Sequence, residues 1–201
     1  EIGSGLVGSE MCIRDSRWTV IKIPTLSFYE YCQLLQLDDM PLLPDHLKVT
    51  DIPKMENAEV ADLMARFEPL VKHFNRYLTI GGFPELALSD DDLYAQRMLR
   101  EDVVDKVIKR DVLTLFKVRS PLLMEKLFLY LCMNSTEIFS ATTAAKELDN
   151  ISPNTIESYV DALVKSNLIY MAYPIAVGSK SVLKGRPKIY IADAAIRNAV
   201  L

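Results

Sequence analysis

The stretch SATTAAKELDNISPNTIESYVDALVK, residues 140–165, decides how the chain is read. Ser140 stands where an N-cap belongs, ahead of a short helical run from Ala141 to Leu148. Asn150 and Ile151 turn the chain. Ser152-Pro153 then cap and open a longer helix, because proline's missing N–H costs nothing at the first helical position. Ile156, Tyr159, Val160, Leu163 and Val164 recur at helical spacing and form its inward face. Two helices joined by so tight a turn make a helix-turn-helix.

Downstream, Leu168 to Val177 and Lys188 to Ile191 read as two strands. The loop between them, Gly178 to Pro187, is short, basic and bounded by glycine. A helix-turn-helix followed by a β-hairpin is a winged helix. Upstream, Ser120-Pro121 open a helix that runs to about Met133. Before it a long helical pattern spans Asp91 to Phe116, with Leu99, Val103, Val104, Val107 and Ile108 inward. Its later part carries Lys106, Lys109, Arg110, Lys117 and Arg119, either a solvated face or a phosphate-facing edge.

Further back, Val60, Leu63, Met64, Phe67, Leu70, Val71 and Phe74 lay an apolar stripe along one helix face. Gly81-Gly82 stop that helix and Phe83-Pro84 turn the chain. Residues 37–57, rich in Pro and Asp, read as a loop. Trp18 to Ile23 alternates as a strand, Pro24 ends it, and Ser27 with Glu30 forms a capping box for a helix through Phe28, Cys32 and Leu35. The fold class expected is mostly α with a small β component: a helical lid-like region, then a winged helix.

The 201 residues suffice for one large domain or two small ones. Half are hydrophobic and a quarter charged, the balance of a globular protein rather than a disordered or fibrous one. No apolar run approaches the roughly 20 residues that span a bilayer, so a cytoplasmic location without membrane contact is expected. Cys12, Cys32 and Cys132 are widely spaced and form no CxxC pair, which points to buried free thiols. His46 and His73 have no ligand spacing, so no metal site is expected. A net charge of -4 gives no bulk attraction to nucleic acid, and any such contact must use a local patch.

Gly3, Gly5 and Gly8 fit G-x-G-x-x-G, but that chemistry needs a strand before the glycines and a helix N-terminus after them. Ser9 and Glu10 stand where a P-loop needs lysine, and a carboxylate there repels phosphate. The stretch EMCIRDS (10–16) reads as the translation of a transposon-end sequencing adapter. Residues 1–16 are accordingly expected to be an assembly artefact joined to the gene near Arg17.

Six words in a fixed order carry a resemblance. They are Arg17 before a strand, LSFYE (26–30), YLTIGGFPE (77–85), VIKRD (107–111), SPNTI (152–156) leading into the Tyr159 helix, and PKIYIAD (187–193). From Arg17 to the C-terminus the chain resembles bacterial and archaeal AAA-like ATP-binding proteins, whose core is followed by a winged-helix region of unassigned function. The resemblance implies three parts: 17–56 a remnant of the ATPase core (strand, capped helix, loop), 57–117 a lid-like region, and 118–201 a winged helix truncated after its last strand. It also implies that the Walker motifs lie before Arg17 and a nuclease-like module lies beyond the last word.

The chain is then a fragment with no catalytic residue of its own, not expected to hydrolyse ATP alone. ATP and Mg²⁺ belong to the complete parent, and no cofactor is expected in this chain. Gly178-Ser179-Lys180-Ser181 lacks the P-loop glycines, and Asp193 follows the wing, the wrong place for a Walker B acid; both are decoys. Carried over residue by residue, Arg17 matches an arginine entering the last core strand and Arg110-Asp111 an "RD" word. A guanidinium near a γ-phosphate could sense nucleotide. For Arg110 and Asp111 a structural ion pair or cap is the alternative.

The other reading is a docking module without enzymatic activity. Asn154, Thr155 and Ser158 could reach base edges of duplex DNA, and Lys180, Lys184, Arg186 and Lys188 could meet phosphates. Glu157 and Asp161, offset only by Lys165, repel a polyanion, so DNA contact would be weak and lean on the wing. Protein contact is the alternative use of such a surface. Neither histidine neighbours a nucleophile elbow, which leaves a hydrolase without support. In the ATPase reading, residues 17 to about 57 have lost their neighbours and are expected to expose apolar surface and associate.

Overall fold

The computed structural model describes residues 23–37, 41, 47–116, 118–174 and 185–201. The proposed artefact, Arg17 and all of the expected strand but Ile23 lie outside them. Helix α1 (Phe28–Leu34) begins at the expected capping box: Ser27 N–H donates to Glu30 Oε2 at 2.8 Å, and Glu30 N–H donates to Ser27 Oγ at 3.3 Å. The Ser27 backbone N–H, foremost, and the Ser27 hydroxyl, which also donates to Glu30 Oε2 at 2.7 Å, lower the Glu30 pKa.

The expected single stripe from Val60 to Phe74 is divided by Pro69. Helix α2 (Asn57–Phe67) ends in a 3₁₀ turn, Glu68–Leu70, and α3 (Val71–Ile80) follows. The stripe is also not an inner face, since α2 buries no residue and Val71 and Phe74 are exposed. The Pro-rich stretch before α2 contains a 3₁₀ turn, Val49–Lys54.

A short α4 (Pro84–Ala87) leads to α5 (Asp92–Met98), capped by Asp91, whose Oδ1 accepts from the N–H groups of Leu93 and Tyr94. The expected long helix then widens into π-helical turns, Leu99–Asp105 and Val107–Val112, before one α-turn, Leu113–Leu115. Leu99, Val104, Ile108 and Val112 are its buried residues. Their separations of five, four and four suit the wider turn of an i→i+5 ladder, which keeps all four on one side.

Helix α6 (Pro121–Met133) is capped by Ser120 and buries Met124, Leu127, Phe128, Leu131 and Cys132. Helix α7 (Ala141–Glu147) is capped by Ser140, as its sequence implies. Helix α8 (Pro153–Lys165) starts after Ser152, but the Ser152 side chain makes no capping bond. Its Ile156, Tyr159, Val160 and Leu163 are buried. The Tyr159 hydroxyl accepts from Ser120 N–H at 3.0 Å, which ties α8 to the start of α6.

Strands β1 (Ile169–Ala172) and β2 (Lys188–Ile191) pair antiparallel, with Tyr170 opposite Tyr190 and Ala172 opposite Lys188. Described residues beyond Ala172 are not strand, so β1 is shorter than its sequence suggests, and the loop 175–184 lies outside the description. On the other side of β2, Ile138 bridges Lys188, with Thr136 N–H donating to Ile189 O and Phe139 N–H to Pro187 O. Among the described residues the protein is mostly helical with this small antiparallel sheet.

After β2 the chain does not stop at a strand but forms a last helix, α9 (Ala194–Val200). Three side chains fasten it to distant elements. Asp193, buried at its N-cap, accepts Ala195 N–H on Oδ1 and Gly82 N–H on Oδ2, each at 2.9 Å. Asn198 Nδ2 donates to Leu78 O at 3.0 Å, and Arg197 Nε donates to Cys132 O at 3.0 Å, meeting one of the orphan carbonyls that end α6. Gly82 O in turn accepts Leu26 N–H at 2.7 Å, and Tyr77 donates its hydroxyl to Leu26 O at 2.8 Å.

The approach is close enough to demand glycine. A Cβ at Gly82 would lie 2.2 Å from Leu26 O, and Gly81 adopts φ +81° with Asp193 Oδ1 2.8 Å from its notional Cβ. Asp193→Ala would strand two N–H donors around a buried carboxylate's place, at about 1–3 kcal/mol for an unsatisfied buried donor. Urea unfolding should show a loss on the order of 3 kcal/mol for Asp193→Ala, with Gly82→Ala also clearly destabilised. A change in either variant within the scatter of surface substitutions would contradict this reading.

Candidate functional site

Arg76 on α3 gathers the region beside α1. Its Nε donates to Asp92 Oδ1 at 2.9 Å, Nη1 to Tyr31 Oη at 2.9 Å and to Ala87 O at 3.0 Å, and Nη2 to Ser89 O. Burial works against its charge, but the Tyr31 hydroxyl and Asp92 carboxylate hold its pKa above the ordinary value. A planar guanidinium suits this task because it donates in several directions at once. Nothing in the sequence pattern marks Arg76, since its partners lie up to 45 positions away.

Around it stand four aromatic rings. Phe28 meets Phe74 edge-on at 5.0 Å between centroids, and Tyr31 meets Tyr77 edge-on at 5.3 Å. Outside them lies an open groove of about 320 Å³, walled by Phe28, Tyr29, Cys32, Phe67, Val71 and Phe74. Its walls among the described residues are almost wholly apolar, which suits the docking of apolar side chains. Burial pushes the Cys32 thiol up, and burial likewise raises Cys132 to about 12, which keeps both as inert thiols. His73, next along α3, has its pKa lowered by burial and then by Lys72 and Arg76.

The residues singled out from sequence are distributed as follows. Arg17, Lys180 and Lys184 lie outside the described residues, as does the side chain of Asp111. Arg110 is exposed on the second π-helical segment. The basic cluster around it is partly neutralised, since Lys106 pairs with Asp102 and Lys109 with Asp105 one turn away. Asn154 and Ser158 are exposed on the first turns of α8, with Thr155 half-buried between them. Lys165 pairs with Asp161 at 2.9 Å. Arg186 and Lys188 are exposed at the start of β2, two residues apart. Among the described residues no group of three or more His, Cys, Asp or Glu could hold a metal ion, and no helix is long and apolar enough to cross a membrane.

Sequence reasoning set Asp193 aside as a decoy acid. The overlooked signal is its place before Ala194-Ala195-Ile196, an N-cap followed by helix formers.

Residues 71–201, from α3 to the end of α9, match the family model described as a domain of unknown function, DUF8612. The chain belongs to this family. It is 23% identical to an uncharacterized protein of Haemophilus influenzae over 196 residues, covering 96% of this chain and 42% of that protein. It is 25% identical to an uncharacterized protein of Methanocaldococcus jannaschii over 158 residues, covering 76% of this chain and 35% of the relative. The chain thus spans less than half the length of these relatives. No solved structure matches it. Most of the groove wall, from Phe28 to Leu70, precedes the part that the family model matches.

An apolar groove that the described residues leave open favours association. Phe74→Ser and Val71→Ser, at positions 43% and 52% exposed, should each reduce concentration-dependent association and binding of an apolar dye. Light scattering and dye fluorescence check this; unchanged association in a folded double variant would remove the groove as its cause.

Proposed function

We propose that this chain is a non-catalytic portion of an AAA-like ATP-binding protein, comprising a lid-like helical region and a winged helix. The observation that carries the reading is the meeting of three of its resembling words at one point. Leu26 of LSFYE, Gly82 of GGFPE and Asp193 of PKIYIAD, up to 167 positions apart in the chain (193 against 26), are joined by consecutive hydrogen bonds. The words therefore describe one architectural knot rather than scattered short strings. The relatives' greater length supports it, leaving room for a nucleotide-binding core beyond the matched part.

The winged-helix reading is supported by element order: α6, the short edge at 136–139, α7, α8, β1 and β2. In this reading α7 and α8 are the helix-turn-helix and β1 and β2 the hairpin, with an additional edge segment beside β2. In this account Arg110 and Asp111, with Arg17, are the nucleotide-sensing candidates, and the knot's role is mechanical. It fastens α1, next to the core, to the winged helix through α9, so that a shift of the core is passed on as a rigid displacement.

The test uses the full-length Haemophilus influenzae relative beside this chain. Calorimetry with MgATP should detect binding to the relative, which should also release phosphate, and no binding to this chain. A full-length relative that binds no MgATP, or a fragment that hydrolyses it unaided, overturns the proposal.

Docking of duplex DNA by α8 has less support. Its exposed face combines Glu157 and Asp161 with a lysine already paired to Asp161, and a polyanion is repelled by such a face.

A further inference from the structure

The outer face of the small sheet is aromatic and basic. The alternation of β2 sends Ile189 into the core and leaves Lys188 and Tyr190 outside. Opposite them, β1 leaves Tyr170 and Ala172 outside while Ile169 is buried. The register sets Tyr170 directly across from Tyr190, and Lys188 between Ala172 on one side and Ile138 on the other. Tyr170 is 48% and Tyr190 38% exposed, and exposed Arg186 continues the patch just ahead of β2.

A pair of exposed rings with cations beside them matches a single-stranded nucleic acid. Unpaired bases offer flat faces for stacking, every base has one, and the backbone brings a phosphate within reach of neighbouring lysine and arginine. A duplex keeps its bases stacked inside and has nothing to lay on the tyrosines. We propose that the outer face of β1 and β2 binds single-stranded DNA or RNA, with Tyr170 and Tyr190 stacking on bases and Lys188 and Arg186 meeting phosphates. The proposal is independent of the ATPase reading, and it shifts the contact from the acidic α8 helix to the sheet.

Fluorescence anisotropy with the whole chain and a labelled oligothymidylate tests it, beside a blunt hairpin duplex of the same charge. Single strands should bind more tightly than the duplex, with affinity falling as salt rises. Tyr170→Ala and Tyr190→Ala should each weaken binding at least about fivefold. Tyr170→Phe and Tyr190→Phe should bind within about twofold of the parent, since a phenyl face stacks as well; they also keep the test valid should the alanine variants fold poorly. Lys188→Gln with Arg186→Gln should flatten the salt dependence. No binding of the single strand at low salt, a duplex bound as tightly, or alanine variants that are folded and bind unchanged would overturn the proposal and leave the face to a protein partner.

Discussion

The carboxylate of Asp193 closes an arrangement that no single element could hold. One oxygen caps α9, and the other reaches an N–H that sits after the end of α3, where the chain turns at two glycines. An N-cap alone contributes about 1 kcal/mol. A buried carboxylate with two N–H donors stabilises by more than that, because each donor would otherwise be buried without a partner. Through Gly82 the same chain of bonds continues to Leu26 and fixes where α1 begins. Arg197, bonded to α6, and Asn198, bonded to α3, then complete the attachment of α9. Leu26 ahead of α1, helix α3 and helix α6 are joined through a helix of seven residues.

Much of this was legible locally. The capping residues Ser27, Ser120 and Ser140 and the prolines at 121 and 153 placed helix starts, because the physics of a helix N-terminus acts over three or four residues. The inward face of α8 followed from its period alone. What the sequence concealed acts at a distance or against habit. The Arg76 bonds and the Gly82–Asp193 bond join residues far apart, and no local pattern encodes them. The π-helical turns of 99–112 were hidden because Leu99, Val103, Val107 and Ile108 recur at steps of four, four and one, the spacing of an ordinary helix face. The stripe from Val60 to Phe74 has the period of an inner face, yet periodicity reports amphipathicity and not whether a partner layer is present.

That stripe bears on how the chain relates to its longer relatives. The groove between α1 and α3 has core-like walls, including Phe28 and Phe74 packed edge-on, but no cover among the described residues. Its wall lies largely before the matched family domain, while the Asp193 knot lies inside it and reaches back to Leu26. The outer face of the small sheet presents a different chemistry of tyrosine and cations.

The central claim is that one buried carboxylate makes the start of α1, the end of α3 and the α6–α9 segment a single cooperative body. Native-state hydrogen exchange tests it most directly, by comparing the amides of Leu26, Gly82 and Ala195 with those of Leu127 and Leu131 in α6. The account predicts that all five exchange only by global unfolding, and that in Asp193→Asn the first three become faster while α6 stays protected. Rapid exchange of Leu26 and Gly82 in the unaltered protein, beside a protected α6, would contradict it.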